Sequence, residues 1–225
     1  MKVVLSLSGG VDSSTLLAFY CKMRVDKIFP LFFLYGSKHN EFEIKSSFEV
    51  AKYYREKGFP IEERKVIDLR NVFSEFSSVL LLKNEEEIPE GHYNDETMRK
   101  TVVPSRNFIF AAIMSGYAES VGANLVALGV HKGDHYIYPD CRKDFVEQLD
   151  KAILYASEGK VGVDAPFIDL DKKDIVKIGL ELKVPYELTR TCYKNQPVAC
   201  GKCGSCRERI EAFELNNTKD FIQYE

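Results

Sequence analysis

"VVLSLSGGVDSSTLLAFY", residues 3–20, decides the fold. A short β-rich run, Val3–Ser8, meets two glycines, an aspartate and several hydroxyls. An apolar stretch at helical spacing, Ser14–Arg24, follows. A buried strand that turns straight into a helix is the building unit of parallel α/β sheets. In open sheets of this kind ligands bind beyond the carboxyl ends of the strands. Gly9 and Gly10 let the backbone bend and approach an anion closely. The helix start offers unpaired N–H groups and the positive end of its dipole. Ser8, Ser13, Ser14 and Thr15 add hydroxyl donors. The turn reads as a phosphate or pyrophosphate cradle. It is neither a Walker A loop, which needs a lysine after its glycines, nor GxGxxG.

Outward from that turn, strand-like and helix-like segments alternate. Lys27–Tyr35, "KIFPLFFLY", has the pattern of a buried strand. Glu41–Lys57 reads as an amphipathic helix closed by Gly58, and Ile61–Asp68 as a third strand. Asn107–Ser120 predicts a helix, then Gly122 and a fourth strand in "ANLVALGV". Arg142–Ser157 and Lys172–Leu182 predict two more helices. The alternation argues for an α/β fold, a doubly wound parallel sheet covered on both faces. Leu69–Val103 breaks the rhythm with the acidic "NEEEIPEG" and reads as a long excursion over one end of the sheet.

The 225 residues suffice for one domain with a small appendage. Residues 1–190 are expected to form the α/β body, and residues 191–225 a compact module packed on it. Apolar and charged fractions of 45% and 29% are those of an ordinary soluble protein. A net charge of −3 leaves no footprint for direct nucleic-acid binding. No apolar run approaches the roughly 20 residues that span a bilayer, and Val3–Leu7 is too short for a signal-peptide core. The expected location is the cytoplasm. Six cysteines in such a chain suggest metal ligands or catalytic thiols before disulfides.

Four of those cysteines lie in "TCYKNQPVACGKCGSC". Cys200, Cys203 and Cys206 are spaced CxxCxxC, with Cys192 eight residues upstream and Gly201 and Gly204 at the turns. Four sulfurs without a nearby histidine favour a closed structural Zn²⁺ site. A redox dithiol, a disulfide or an iron–sulfur cluster are the competing uses. Cys21, inside the first helix, reads as a small buried hydrophobe.

The stretch SGGVDSS, residues 8–14, resembles the SGGxDS signature of the PP-loop ATP pyrophosphatases. That resemblance implies cleavage of ATP between its α and β phosphates, with transient adenylation of a substrate oxygen. It implies that Leu7, Ser8, Gly9, Gly10, Val11, Asp12, Ser13, Ser14 and Thr15 bind ATP as co-substrate, Asp12 acting through Mg²⁺ or by orienting the loop. Residues 103–145 narrow the family. "VPSRN", "AESVGA" and "YPDCR", with the cysteine block, resemble the 7-cyano-7-deazaguanine synthases over nearly the whole chain, most thinly over Leu69–Glu96. His131 stands where that family usually has asparagine, and Thr191 where it usually has serine. The resemblance implies conversion of 7-carboxy-7-deazaguanine and ammonia into the 7-cyano base for queuosine or archaeosine, through adenylated acid and adenylated amide. It also implies a homodimer.

That chemistry assigns candidate roles. Asp12, Arg106 and Asp140 are the candidate catalytic residues. The Arg106 fork suits a carboxylate or a phosphate. Asn107 either orients ATP or caps its helix. Asp134 falls just past the fourth strand. Asp140 could pair with a guanine-type edge, Tyr138 could stack on the base, and Arg142 could contact substrate; a structural Asp140–Arg142 pair is the plainer reading. His39, His92 and His135 read as surface or loop histidines. Other readings stay open at this point: a relative that stops at the amide or joins the deazaguanine to a protein, a PP-loop tRNA-modifying enzyme, and a non-catalytic zinc module.

Overall fold

The computed structural model describes residues 1–91 and 99–225. Five parallel strands form one sheet in the order β3-β2-β1-β4-β5. They are β1 (Lys2–Ser6), β2 (Lys27–Leu34), β3 (Lys65–Asp68), β4 (Leu125–Ala127) and β5 (Gly162–Asp164). The chain runs outward from β1 through β2 to β3, then returns to the other side of β1. The switch point thus lies between β1 and β4, where open α/β sheets leave a ligand crevice. The central strand of the SGG turn is the strand beside that crevice.

Side chains of β1 alternate between two cores, as a strand covered on both faces requires. Val3 and Leu5 enter one cluster with Leu16, Tyr20, Val50, Ile175 and Phe213. Val4 enters the other with Phe33, Phe110, Met114, Leu149 and Ile153. The covering helices are α1 (Val11–Lys22), α2 (Asn40–Glu56), α4 (Arg106–Val121), α5 (Lys143–Ala156), α6 (Lys172–Glu181) and α7 (Gly204–Glu214), with a single turn, α3 (Arg70–Phe73). The α/β reading of the sequence holds, and the five long helices expected from periodicity agree with the structure to within three residues, the largest difference being the start of α1 at Val11 rather than Ser14. Cys21 is buried in the first of the two cores.

Two elements differ from expectation. The third strand is shorter than Ile61–Asp68, because Ile61 makes only an isolated bridge to Ile28 and regular pairing starts at Lys65. Pro30 of β2 lies between those two contacts, where its missing N–H leaves no gap in the ladder. The fifth strand, "GVD", was not expected: three residues that include a glycine give no periodic signal. It is fixed instead by pairing with β4 and by Val163 donating to Asp150 Oδ1 at 2.7 Å.

The excursion after β3 packs Phe73, Leu80 and Leu81 into the second core. Backbone bonds from Lys38 to Leu80 and from Leu82 to Gly36 hold it over the carboxyl end of β2. Farther on, Glu90 bridges to Cys203, and Gly91 donates to Lys202. The C-terminal segment shares the main core through Ala212 and Phe213. Arg209, 1% exposed, reaches from α7 into the body. It donates to both oxygens of Asp220 at 2.7 and 2.9 Å, to Thr189 Oγ1 at 2.9 Å and to the Tyr186 carbonyl at 3.1 Å. His39 corrects the surface reading of that residue: it is 3% exposed and packs on Tyr193. His92 and the side chain of His135 lie outside the described residues.

Candidate active site

The SGG turn is held from beneath by backbone and side-chain bonds. Gly9 has φ +82°, and a Cβ there would lie 2.4 Å from the Ser47 nitrogen of α2. Only glycine tolerates both conditions. Its carbonyl accepts from the Arg190 N–H at 2.8 Å. Ser47 Oγ donates to the Leu7 carbonyl at 2.6 Å, which clamps the strand end to α2. Gly10 is extended, at φ −79°, and caps α1 with no side chain. Ser8 Oγ and Ser13 Oγ lie 3.0 Å apart across the turn. Ser8, Gly10, Val11, Asp12 and Ser13 line a cavity of about 230 Å³. Leu7, Ser14 and Thr15 face the core instead, Thr15 being bound to Val11 O and Tyr186 OH at 2.8 Å each. Ser8, Gly10, Asp12 and Ser13 thus face the cavity, whereas Ser14 and Thr15, expected from the sequence as cradle donors, are committed to the core.

At this end of the cavity Asp12 Oδ2 contacts Lys172 Nζ at 2.7 Å, and the same ammonium meets Glu208 at 3.3 Å. His131 Nε2 lies 4.0 Å from Asp12 Oδ2, while His131 Nδ1 accepts from the Gly133 N–H at 3.1 Å. Burial raises the Asp12 pKa, but Lys172 and His131 more than offset that and hold the carboxyl below its ordinary value. Asp12 is thus ionised, and its Oδ1 is buried with no hydrogen-bond partner among the described residues. An unpartnered anionic oxygen on the glycine turn fits a hard divalent cation such as Mg²⁺.

The rest of the cavity is lined by the end of β2, the start of α2, α4 and the segment after α6. Arg106 opens α4 after Ser105, whose φ of +52° turns the chain sharply into the helix. Arg106 donates to Tyr35 OH at 3.3 Å, and no carboxylate pairs with it among the described residues. Tyr138, Tyr193, Asn107, His39 and Glu43 complete this wall. Asn107 does not cap α4; its Nδ2 points at Cys141 Sγ, 3.1 Å away. Asp140 Oδ2 accepts from the Asn107 backbone N–H at 2.8 Å, thereby satisfying a helix-start donor, and Asp140 does not line the cavity. Arg142 is exposed and outside the lining as well. Asp134 sits in the 3₁₀ turn Lys132–Tyr136, its side chain outside the described residues.

Sequence reading did not single out Lys172, Glu208, Tyr35, Glu43 or Tyr193. One local signal was available: Asp171 and Asp174 form a capping box that places Lys172 at the first position of α6. The pairing of Lys172 with Asp12 spans 160 residues and has no local signature.

Cys192, Cys200, Cys203 and Cys206 are all buried, and their sulfurs lie within 4.8 Å of one another. Tetrahedral ligands about 2.3 Å from a zinc ion are separated by about 3.8 Å. The Cys192–Cys200 and Cys200–Cys206 sulfur distances are 3.6 and 3.9 Å. Backbone N–H groups of Lys194 and Cys200 point at Cys192 Sγ, and those of Lys202 and Cys203 at Cys200 Sγ, all at 3.3–3.4 Å. Donors aimed at sulfur favour thiolates, so the quartet fits a tetrahedral metal.

The family model described as Queuosine biosynthesis protein QueC matches residues 2–217. The chain belongs to the QueC family. A 7-cyano-7-deazaguanine synthase of Caldicellulosiruptor saccharolyticus is 44% identical, covering 100% of this chain and 96% of that one. The synthase of Marinobacter nauticus is 44% identical over 99% and 97% of the two chains, and that of Archaeoglobus fulgidus 44% identical over 98% and 89%. Among solved structures, an NH3-dependent NAD synthetase from Campylobacter jejuni aligns with TM-score 0.47 and 17% identity, over 83% of this chain and 66% of that one. Among the described residues no helix is long and apolar enough to cross a membrane.

Proposed function

We propose that this protein is an ATP-dependent 7-cyano-7-deazaguanine synthase, forming the nitrile from 7-carboxy-7-deazaguanine and ammonia with release of AMP and pyrophosphate. One observation supports this reading above the rest. One cavity is lined by the glycine turn, by Asp12 with one unpartnered oxygen, and by Arg106, which has no carboxylate partner among the described residues, in a chain of the QueC family.

The reaction needs a carboxylate turned into a leaving group. Arg106 would hold the 7-carboxylate through its planar fork, with one arm kept in place by Tyr35. Tyr138 lines the same space and offers a face to the flat base. The carboxylate oxygen attacks the α-phosphorus of ATP. The departing pyrophosphate gathers charge where the Ser8–Ser13 turn and the start of α1 present N–H and O–H donors. Lys172, supported by Glu208, supplies a positive charge beside that anion. Mg²⁺ held by Asp12 would neutralise phosphate charge. Ammonia then displaces AMP to give the amide. A second adenylation, on the amide oxygen, permits loss of AMP as the nitrile forms. Zn²⁺ held by the four cysteines would supply folding energy to the segment that delivers Ser205 and Glu208 to the cavity wall.

Exchange of labelled pyrophosphate into ATP tests this reading. The exchange should require 7-carboxy-7-deazaguanine and should not require ammonium. Exchange that proceeds equally without the base, or not at all with it, contradicts the reading.

A further inference from the structure

The part of the cavity wall formed by the start of α2 contains a carboxylate and an imidazole to which the adenylation step assigns no work. Both come from the first turn of α2 and its entry: His39 and Glu43 lie four residues apart, on one helical face. Both line the reaction cavity. They are deeply placed, with side-chain exposures of 4% and 16%. His39 Nε2 lies 3.4 Å from Glu43 Oε1, and Asn40 Nδ2 lies 3.3 Å from Glu43 Oε2. The carboxylate faces Nε2, so the ring proton belongs there and Nδ1 keeps its lone pair. That Nδ1 is buried and has no hydrogen-bond partner among the described residues. Tyr193 covers the imidazole, its ring centre 5.2 Å away. Burial raises the Tyr35 pKa, and Glu43 adds to that effect, which places Glu43 within electrostatic reach of the tyrosine that holds Arg106.

Glu43 is a largely buried carboxylate whose contacts are Asn40 and His39, and among the described residues no lysine or arginine pairs with it. That is costly unless a cation arrives. The reaction brings one. Ammonium, not ammonia, is the abundant species near neutral pH, and it must lose a proton before it can attack. Adenine presents a ring-nitrogen acceptor beside its amine, which a carboxylate repels. The pair is therefore poorly suited to the ATP base and well suited to a small cation with several N–H donors.

We propose that Glu43 and His39 form the ammonium site: they bind NH₄⁺ beside the activated carboxyl carbon and take its proton. The proposal rests on the synthase reading above. In the step, one N–H bond of ammonium breaks, its proton passes to the Glu43–His39 pair and the electron pair stays on nitrogen. Nitrogen bonds to the acyl carbon, the carbon–oxygen bond to AMP breaks, and AMP departs with that electron pair. A second proton then leaves the adduct nitrogen for solvent, which gives the amide. In the second round the nitrogen already sits at this wall; the pair, having released its first proton to solvent, accepts one of the two protons lost as the nitrile forms, and the other passes to solvent.

The test compares nucleophiles in Glu43→Gln and His39→Gln proteins that keep the wild-type circular dichroism spectrum. Ammonium chloride is titrated against hydroxylamine, which is largely neutral at pH 7 and needs no deprotonation. Charge-assisted hydrogen bonds predict a rise of about 10–100-fold in the KM for ammonium in Glu43→Gln. The KM values for ATP and the base should change by less than about twofold, within the spread of a neutral surface substitution. Pyrophosphate exchange should persist, and hydroxamate should still form from hydroxylamine. An unchanged ammonium KM in both variants overturns the proposal. So does an equal loss with both nucleophiles, or a rise confined to the KM for the deazaguanine, which would make Glu43 a reader of the base. Absence of base-dependent exchange in the wild type would instead sink the synthase reading itself.

Discussion

Replacing Gly9 by alanine adds one methyl group where the turn packs on the backbone of α2. The new Cβ would sit 2.4 Å from Ser47 N, 2.7 Å from Ser46 C and 2.8 Å from Ser46 Cβ. An ordinary carbon–nitrogen contact needs about 3.5 Å, so the turn and α2 must separate by about 1 Å. Helix α2 cannot yield freely, because Ser47 is fully buried and its hydroxyl holds the Leu7 carbonyl. Alanine at φ +82° adds conformational strain of about 1–2 kcal/mol. Overpacking adds about 1–3 kcal/mol. The expected loss is therefore about 2–5 kcal/mol, a large share of the stability of an ordinary domain. The chain has no tryptophan, so urea unfolding is best followed by far-ultraviolet circular dichroism. In protein that still folds, displacing the cradle by about 1 Å should lower base-dependent pyrophosphate exchange by about 100-fold. A variant within about 0.5 kcal/mol of the wild type, the range of an uneventful surface change, with normal exchange would refute the close packing of the turn on α2.

Gly10→Ala should behave differently: its φ is ordinary and the nearest atom to a new Cβ, Ser8 Oγ, is 3.4 Å away, so stability stays within about 1 kcal/mol while the methyl enters the cradle and weakens ATP, as calorimetry would show. Asp220→Ala leaves the Arg209 guanidinium buried without its carboxylate, and should cost about 3–5 kcal/mol in urea unfolding; a loss under about 1 kcal/mol would contradict the pairing. The native Asp12 pKa is depressed, so its contribution is present above the ordinary aspartate value near 4 and fades as pH falls through the native one. The stability gap between wild type and Asp12→Ala should accordingly close between about pH 4 and lower values; a gap that widens on acidification would contradict the sign. Stripping the metal with a chelator should lower the melting temperature and release α7, and metal analysis should find one ion per chain on the Cys192, Cys200, Cys203 and Cys206 quartet.

The parts of the protein that chemistry concentrates in a few consecutive residues were readable. SGGVDSS announced a strand–turn–helix junction because the glycines, hydroxyls and helix start must be neighbours in the chain. The cysteine quartet was readable for the same reason. Strand β5 was not, since three residues around a glycine owe their conformation to β4 and Asp150 rather than to their own pattern. The function of Asp140 depends on a backbone N–H of Asn107, 33 residues away, and its carboxylate type alone does not reveal that commitment. His39 looked like a surface histidine because it precedes a polar helix; the sheet end and Tyr193 bury it. Lys172 meets Asp12, and Glu208 meets Lys172, only because α1, α6 and α7 converge on one crevice, which is a property of topology rather than of spacing.

The central claim is that one cavity activates a deazaguanine carboxylate with ATP and carries it to the nitrile. Mass spectrometry of a single reaction tests it most directly: metal-loaded protein with ATP, Mg²⁺, an ammonium salt and 7-carboxy-7-deazaguanine. The account predicts the 7-cyano base together with AMP and pyrophosphate, all abolished by Asp12→Ala. Accumulation of the amide alone, or recovery of the unchanged base from protein that still binds ATP, would contradict it.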